Sequence, residues 1–242
     1  MPAAQHRILS SGDTALVVEF GDAVDRRTSE RVLALFERLS AAALPGVVEL
    51  LPTFRSLMVH YDPVRTSRKV LVKALAPHLR GLGEAKAVAR TWELPVCYER
   101  AFGLDVDHVA AASGLSPDAV VACHSGVPYH VYMIGFTPGY PYMGDVPPPL
   151  VLPRRENPRT QVPAGSVAIA TVMTAVYTLQ SPGGWHILGR TPVPLWSRER
   201  ADAPALLAAG DKVRFAPIGL DEFRRIEERA AAGRYELLPV GA

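Results

Sequence analysis

The chain has 242 residues, 48% of them apolar, and its 26 basic and 24 acidic residues leave a formal charge of +2. That apolar share can fill the core of one large β domain or of two ordinary domains, whereas so small a charge excludes a general electrostatic attraction to nucleic acid or an anionic membrane. No apolar stretch nears the ~18 residues that span a bilayer, and residues 1–14 contain no signal-like apolar run, so a cytoplasmic location is expected.

Residues 1–95 read as an α+β unit. Residues 7–20 alternate and end in the apolar run Ala15-Leu16-Val17-Val18, a strand, and the following helix gathers Val32, Leu33, Leu35, Phe36 and Leu39 on one face. Pro45-Gly46 stops it. Residues 47–51 and 57–61 are then β-rich runs around a short polar turn, a hairpin. A second helix over 67–79 carries Val70, Leu71, Ala74 and Leu75 inward, and a strand follows over 89–96. The order β-α-β-β-α-β is that of a ferredoxin-like split βαβ unit.

Residues 96–242 read differently. Helices are expected over 107–113 and 117–125, the second with Ser116 as N-cap and Pro117 at its first position, where the missing N–H costs nothing. Short β runs over 129–134, 166–170, 175–179, 185–188 and 213–218, with turn signals between them, suit a small barrel. Prolines punctuate 129–190 so densely that it cannot be helical. Arg190 is the only formally charged residue between Thr160 and Trp196, which implies a sheet buried on both faces or covered by a partner. Residues 221–231 form a last helix with a charged surface.

Several residues are equipped for chemistry. Arg154, Arg155 and Arg159 lie in PRRENPR, where prolines limit their freedom; arginine forks so close together repel unless an anion joins them, and they suit carboxylate or phosphate. Glu156 can neutralise one internally. His124 ends a helix and His186 follows a Pro-Gly-Gly turn, so either can serve as general base or sit satisfied in the core. Phe136, Tyr140 and Tyr142 flank the Pro-Gly scaffold of GFTPGYPYMG as a wall for a planar ligand or a partner. Cys97 and Cys123 lack metal-ligand spacing, and no metal site is expected. No Gly-Lys dipeptide occurs, so there is no phosphate loop of the Walker type.

Three blocks, VYMIGFTPGYPYMG, PRRENPRTQVPAGSVAIA and SPGGWHILGRTP, resemble the family of the KipI protein, allophanate hydrolase subunit 1 and the PxpB subunit of 5-oxoprolinase, which also forms part of the carboxyltransferase domain of urea carboxylase. The resemblance implies a cyclophilin-like β-barrel after the ferredoxin-like domain and an enzyme active only in a complex. A PxpC-like subunit, and for 5-oxoprolinase a PxpA-like subunit, are the implied partners. The implied activity is ATP-dependent opening of 5-oxo-L-proline to L-glutamate, with biotin carried only by a partner in the urea-processing relatives; a KipI-like inhibitor of a sensor histidine kinase is the non-enzymatic alternative. On this reading His124, Arg155 and His186 are catalytic, and Arg154, Arg159, Phe136, Tyr140, Tyr142, Met173 and Arg190 bind substrate or its anionic groups. Met173 stands where such relatives usually carry glutamine, so specificity is expected to differ there, since methionine cannot donate a hydrogen bond.

Overall fold

A computed structural model describes residues 6–82, 89–200 and 203–241. The chain divides into two compact units, Met1–Val88 and Ala89–Ala242.

In the first unit β1 (Arg7–Ser11), β2 (Ala15–Glu19), α1 (Arg26–Ala42), β3 (Val47–Pro52), β4 (Ser56–Tyr61) and α2 (Arg68–Leu75) follow one another. Their four strands form an antiparallel sheet in the order β1-β2-β4-β3. The stretch 7–20 is thus a hairpin and not one strand, because Gly12 at a φ of +63° turns the chain back and Leu9 pairs with Val17. Asp25 caps α1 by accepting from the Thr28 N–H at 2.9 Å, satisfying one of the donors that every helix start leaves open. The apolar stripe of α1, Val32, Leu35 and Leu39, closes on Leu16, Val18, Leu57 and Val59. Each stripe follows from the period of its own element, 3.6 for the helix and 2 for the strands.

The second unit runs β5 (Thr91–Val96), α3 (Val106–Ser113), α4 (Pro117–Ser125), β6 (Tyr129–Ile134), β7 (Pro141–Gly144), β8 (Arg159–Val162), β9 (Ser166–Ala170), β10 (Met173–Val176), β11 (Ser181–Gly183), β12 (His186–Arg190), β13 (Lys212–Pro217) and α5 (Leu220–Ala231). A seven-stranded sheet has the order β12-β9-β10-β7-β6-β13-β5. Its two ends meet through one bridge, in which Cys97 and Arg190 exchange backbone hydrogen bonds of 2.8 and 2.9 Å. The sheet is therefore a nearly closed barrel, and closure removes the unpaired edges that an open sheet would expose. Its interior holds Tyr129, Val131, Met143, Val167, Ile169, Val176, Leu188, Val213 and Phe215. The charge-poor strands β9 and β10 are buried at every position, as their composition requires.

Two sequence expectations are corrected here. The strand near residues 89–96 does not complete the first sheet: β5 pairs parallel with β13, Trp92 opposite Val213, and the boundary falls at Val88/Ala89, not after residue 95. The buried carboxylate of Asp211 holds it there, accepting from Arg90 Nε at 3.0 Å and from the Trp92 indole N–H at 2.9 Å. The second correction concerns residues 141–144, which are a central strand and not loop. Pro141 is tolerated because it is the first residue of β7, where no ladder donor is lost.

Closure depends on a close approach. A Cβ on Gly189 would lie 2.7 Å from the Cys97 carbonyl oxygen and 2.9 Å from Val96 Cγ1. Gly189→Ala should therefore force the ends of the sheet apart and lower the unfolding free energy by about 1–3 kcal/mol, measured by urea denaturation; an unchanged midpoint would show that the bridge does not limit stability.

Candidate functional site

The arginine segment is organised by a residue that the sequence reading missed. Asp105, just before α3, is 4% exposed and does not cap that helix with its side chain. It accepts instead from Arg155 Nη1 at 2.7 Å, from Arg159 Nη1 and Nη2 at 2.8 Å each, and from the Ile187 N–H at 2.7 Å. Burial pushes its pKa up, but the Arg159 hydrogen bond, the Ile187 N–H and the two positive charges outweigh it and hold the carboxyl below the usual range. Aspartate before a helix ordinarily reads as a cap, so no local signal marked this use. Asp105, not Glu156, is the internal counter-ion, and Arg159 is consumed by it.

Arg154 remains open to solvent and has no carboxylate partner among the described residues; its guanidinium lies 6.0 Å from the Trp185 ring. Trp185 meets Tyr142 at 6.0 Å and Tyr140 at 6.3 Å, both edge to face. Burial raises the pKa of Tyr140 and Tyr177, which keeps this wall uncharged. Tyr140, Tyr142, Trp185 and Arg154 are thus brought together, as the motif blocks suggested.

A cleft of about 480 Å³ opens beside this wall, lined by His108, Leu152, Pro153, Arg154, Arg155 and His186 among others. His186 is buried, donates from Nε2 to the Pro153 carbonyl at 2.9 Å and stacks on His108 at 5.1 Å. That hydrogen bond fixes the proton on Nε2 of the neutral ring and leaves Nδ1 as an acceptor. Among the described residues His186 Nδ1 and Arg155 Nε are both buried without a partner. One cleft therefore carries an unused acceptor, an unused donor and a free cation, a set that suits a ligand with an amide edge and a carboxylate. The Leu152 carbonyl accepts from the Thr171 N–H at 2.6 Å, which ties the cleft wall to the β9–β10 turn. Met173 follows that turn, buried opposite Gly144 and Ala170.

Two predicted site residues lie elsewhere. Arg190 donates from Nε to the Ala164 carbonyl at 2.9 Å and lies over Phe102 and Phe223, in a separate hollow of about 150 Å³ that also contains Glu227. His124 is fully buried inside the barrel. Its Nε2–H donates to Thr174 Oγ1 at 3.0 Å, since the threonine hydroxyl proton goes to the Ala168 carbonyl at 3.1 Å, and its Nδ1 accepts from the Tyr98 hydroxyl at 2.9 Å. Both ring nitrogens are used, so this imidazole is a core element and not a general base.

Asp105→Asn should leave two partly buried guanidinium groups uncompensated and lower the unfolding free energy by about 3 kcal/mol; in chemical denaturation, a loss below about 1 kcal/mol would show that the cluster is not structural. Burial lowers the pKa of His124 to about 3, against roughly 6.5 in an unfolded chain. The unfolded state then binds a proton that the folded state refuses, so this contribution to stability is complete above about pH 6.5 and is lost as pH falls, by up to about 1.4 kcal/mol per unit. Unfolding free energy against pH should be correspondingly steeper for the wild type than for His124→Gln between about pH 6 and about pH 4; equal slopes would contradict a neutral core histidine.

Comparison with known proteins matches this arrangement. Residues 6–207 match the family model of the carboxyltransferase domain, subdomain C and D. The chain is 34% identical to the PxpB subunit of 5-oxoprolinase from Bacillus subtilis, over 93% of this chain and 98% of that protein. It is 41% identical to the corresponding 5-oxoprolinase subunit of Escherichia coli O157:H7, over 85% and 93%. The crystal structure of the Kluyveromyces lactis urea carboxylase superposes with a TM-score of 0.79 at 22% identity, over 97% of this chain and 24% of that one, which establishes the shared fold alone. With the barrel, the arginine segment and the aromatic wall all inside the matched residues, the chain belongs to the carboxyltransferase domain family, subdomains C and D.

Proposed function

We propose that this chain is the PxpB-type subunit of an ATP-dependent 5-oxoprolinase, which opens 5-oxo-L-proline to L-glutamate with PxpC-like and PxpA-like companions. Similarity to a 5-oxoprolinase subunit over nearly its whole length supports the activity, and the cleft beside Arg154 is the structural observation that carries it. The substrate combines a carboxylate with a lactam. On this reading Arg154 binds the carboxylate, Arg155 Nε–H meets the lactam oxygen, and His186 Nδ1 accepts from the ring N–H. Arg155 then faces the oxygen on which negative charge grows when the amide carbon is attacked, so its stabilisation is greatest in the transition state.

The reaction adds water across the amide C–N bond and produces a carboxylate and an amine. An unactivated lactam resists this, which is the reason for coupling to ATP. The chain has no Gly-Lys dipeptide, and Arg159 and one edge of Arg155 are held by Asp105, so we assign the nucleotide to a companion. Biotin has no role in this reading. The likeness to urea carboxylase supports the fold and no more. We read the two units as ferredoxin-like and cyclophilin-like; β1 occupies the edge position beside β2 that a ferredoxin-like sheet gives to its final strand.

Reconstitution tests the proposal. Mixed with its companions, the chain should support ATP hydrolysis that rises on adding 5-oxo-L-proline, and Arg154→Ala should raise KM for 5-oxo-L-proline by about tenfold or more, the loss expected from one charge-assisted hydrogen bond. A verified complex with no substrate-stimulated turnover would exclude the activity, whereas an unchanged KM would exclude only this role of Arg154.

A further inference from the structure

Phe136 is held in a conformation and an exposure that folding does not ask of it. Its φ is +68°, the left-handed region that an ordinary side chain occupies only under strain. The Thr137 N–H donates to the Gly135 carbonyl at 2.9 Å across it, a γ-turn of the rare, strained hand. The ring is 65% exposed, and the described ring contact it makes is edge-on with Tyr140, at 5.4 Å. Glycine or asparagine would form this turn at lower cost.

The loop that carries it is braced. Gly135 N–H donates to the Tyr140 carbonyl at 3.0 Å, and Thr178 Oγ1 donates to the Pro138 carbonyl at 2.7 Å. Gly139, at a φ of +71°, lies so close to Trp196 that a Cβ would stand 2.9 Å from the tryptophan Cβ. Strain in a mobile loop would relax. Here the scaffold fixes it, and what it fixes is a projecting aromatic ring.

A projecting ring is a poor receptor for a small molecule, which needs a concave site, and Phe136 lines neither the arginine cleft nor the Arg190 hollow. It has the form of an anchor at a protein interface: a large, rigid aromatic side chain that fills a pocket on the partner and loses little entropy on doing so. Continuity with the site identifies the partner. Phe136 contacts Tyr140, Tyr140 contacts Trp185, and Trp185 lies under the unpaired Arg154, so a protein seated on Phe136 also covers the wall of the cleft. We infer that Phe136 anchors this chain in an apolar pocket of its companion PxpC-like subunit, with a carboxylate on the rim of that pocket facing the Arg154 side of the patch. The inference rests on the subunit reading given above, and it moves Phe136 from substrate binding to assembly.

Affinity between the purified chain and the PxpC-like companion, measured by titration calorimetry, tests it. Phe136→Gly removes the ring and relieves the turn, so it should melt no lower than the wild type while binding the companion at least about 30-fold more weakly, the scale of a lost anchor residue. Phe136→Tyr should retain binding within about threefold, because the ring and its scaffold remain. Val172→Ala, at another exposed apolar position, should bind as the wild type does. Wild-type chain that forms no complex would defeat the subunit reading itself. Wild-type binding matched by Phe136→Gly would overturn the anchor alone, as would an equal loss in Val172→Ala or self-association as the only interaction that Phe136→Gly weakens.

Discussion

One buried carboxylate organises the functional end of the second unit. Asp105 gathers the start of α3, both ends of the segment 155–159 and the backbone of β12 onto two oxygen atoms. A carboxylate taken out of water is costly unless its lone pairs are met, and four N–H donors meet them here. The consequence for function is a division of labour within one short motif. Arg159 is structural, Arg155 is held by one edge with its Nε left over, and only Arg154 keeps a whole guanidinium for a ligand. Three neighbouring arginines therefore amount to one free cation and one oriented donor. Mutual repulsion, the reason for expecting a bound anion in the first place, is relieved by the protein itself.

The same device recurs at the other end of the sheet. Asp211 accepts from Arg90 and the Trp92 indole, and also from the Ala208 N–H at 2.9 Å, thereby fastening β5 to the strand it pairs with. His124 performs a related task with a neutral group, linking Tyr98, α4 and β10 through both ring nitrogens and receiving Phe215 against its face at 4.7 Å. Buried polar networks of this kind are favourable only when complete. Each of these three joins segments far apart in sequence, and together they hold a barrel whose final closure consists of a single backbone bridge.

What was legible in the sequence was what local chemistry decides. Ser116 and Pro117 mark the start of α4, and the absence of charge marks β9, β10 and β12 as buried, because each depends on the residue and its immediate neighbours. The hairpin of β1 and β2 was missed because its turn, Gly12-Asp13-Thr14, interrupts an alternation that otherwise reads as continuous. The strand β7 was hidden by prolines and glycines whose positional meaning depends on which residue leads the strand. Placement of β5 in the second unit, the use of Asp105 and the burial of His124 were not legible at all. All three depend on partners 50 to 121 residues away, and nothing in the spacing of aspartate or histidine distinguishes a core role from a surface one. The aromatic wall was legible as a cluster, since its members share one motif, but its contact with Trp185 required the fold.

The relief of the sheet beside the wall bears on specificity. Opposite residues in an antiparallel ladder point to the same face, so Tyr142, Ala175 and Ala168 form one row and Gly144, Met173 and Ala170 the next. Small residues surround Met173, which thus contributes most of the bulk among these three positions. It is also buried, at 7% exposure. A glutamine there would bring an amide with two donors and an acceptor into a place where each must find a partner. Methionine fills the same length with a flexible, weakly accepting thioether and makes no such demand. The polar discrimination that an amide would exert at this row is therefore absent from it, and recognition passes to the atoms the fold has left unsatisfied next door, Arg155 Nε, His186 Nδ1 and the free guanidinium of Arg154.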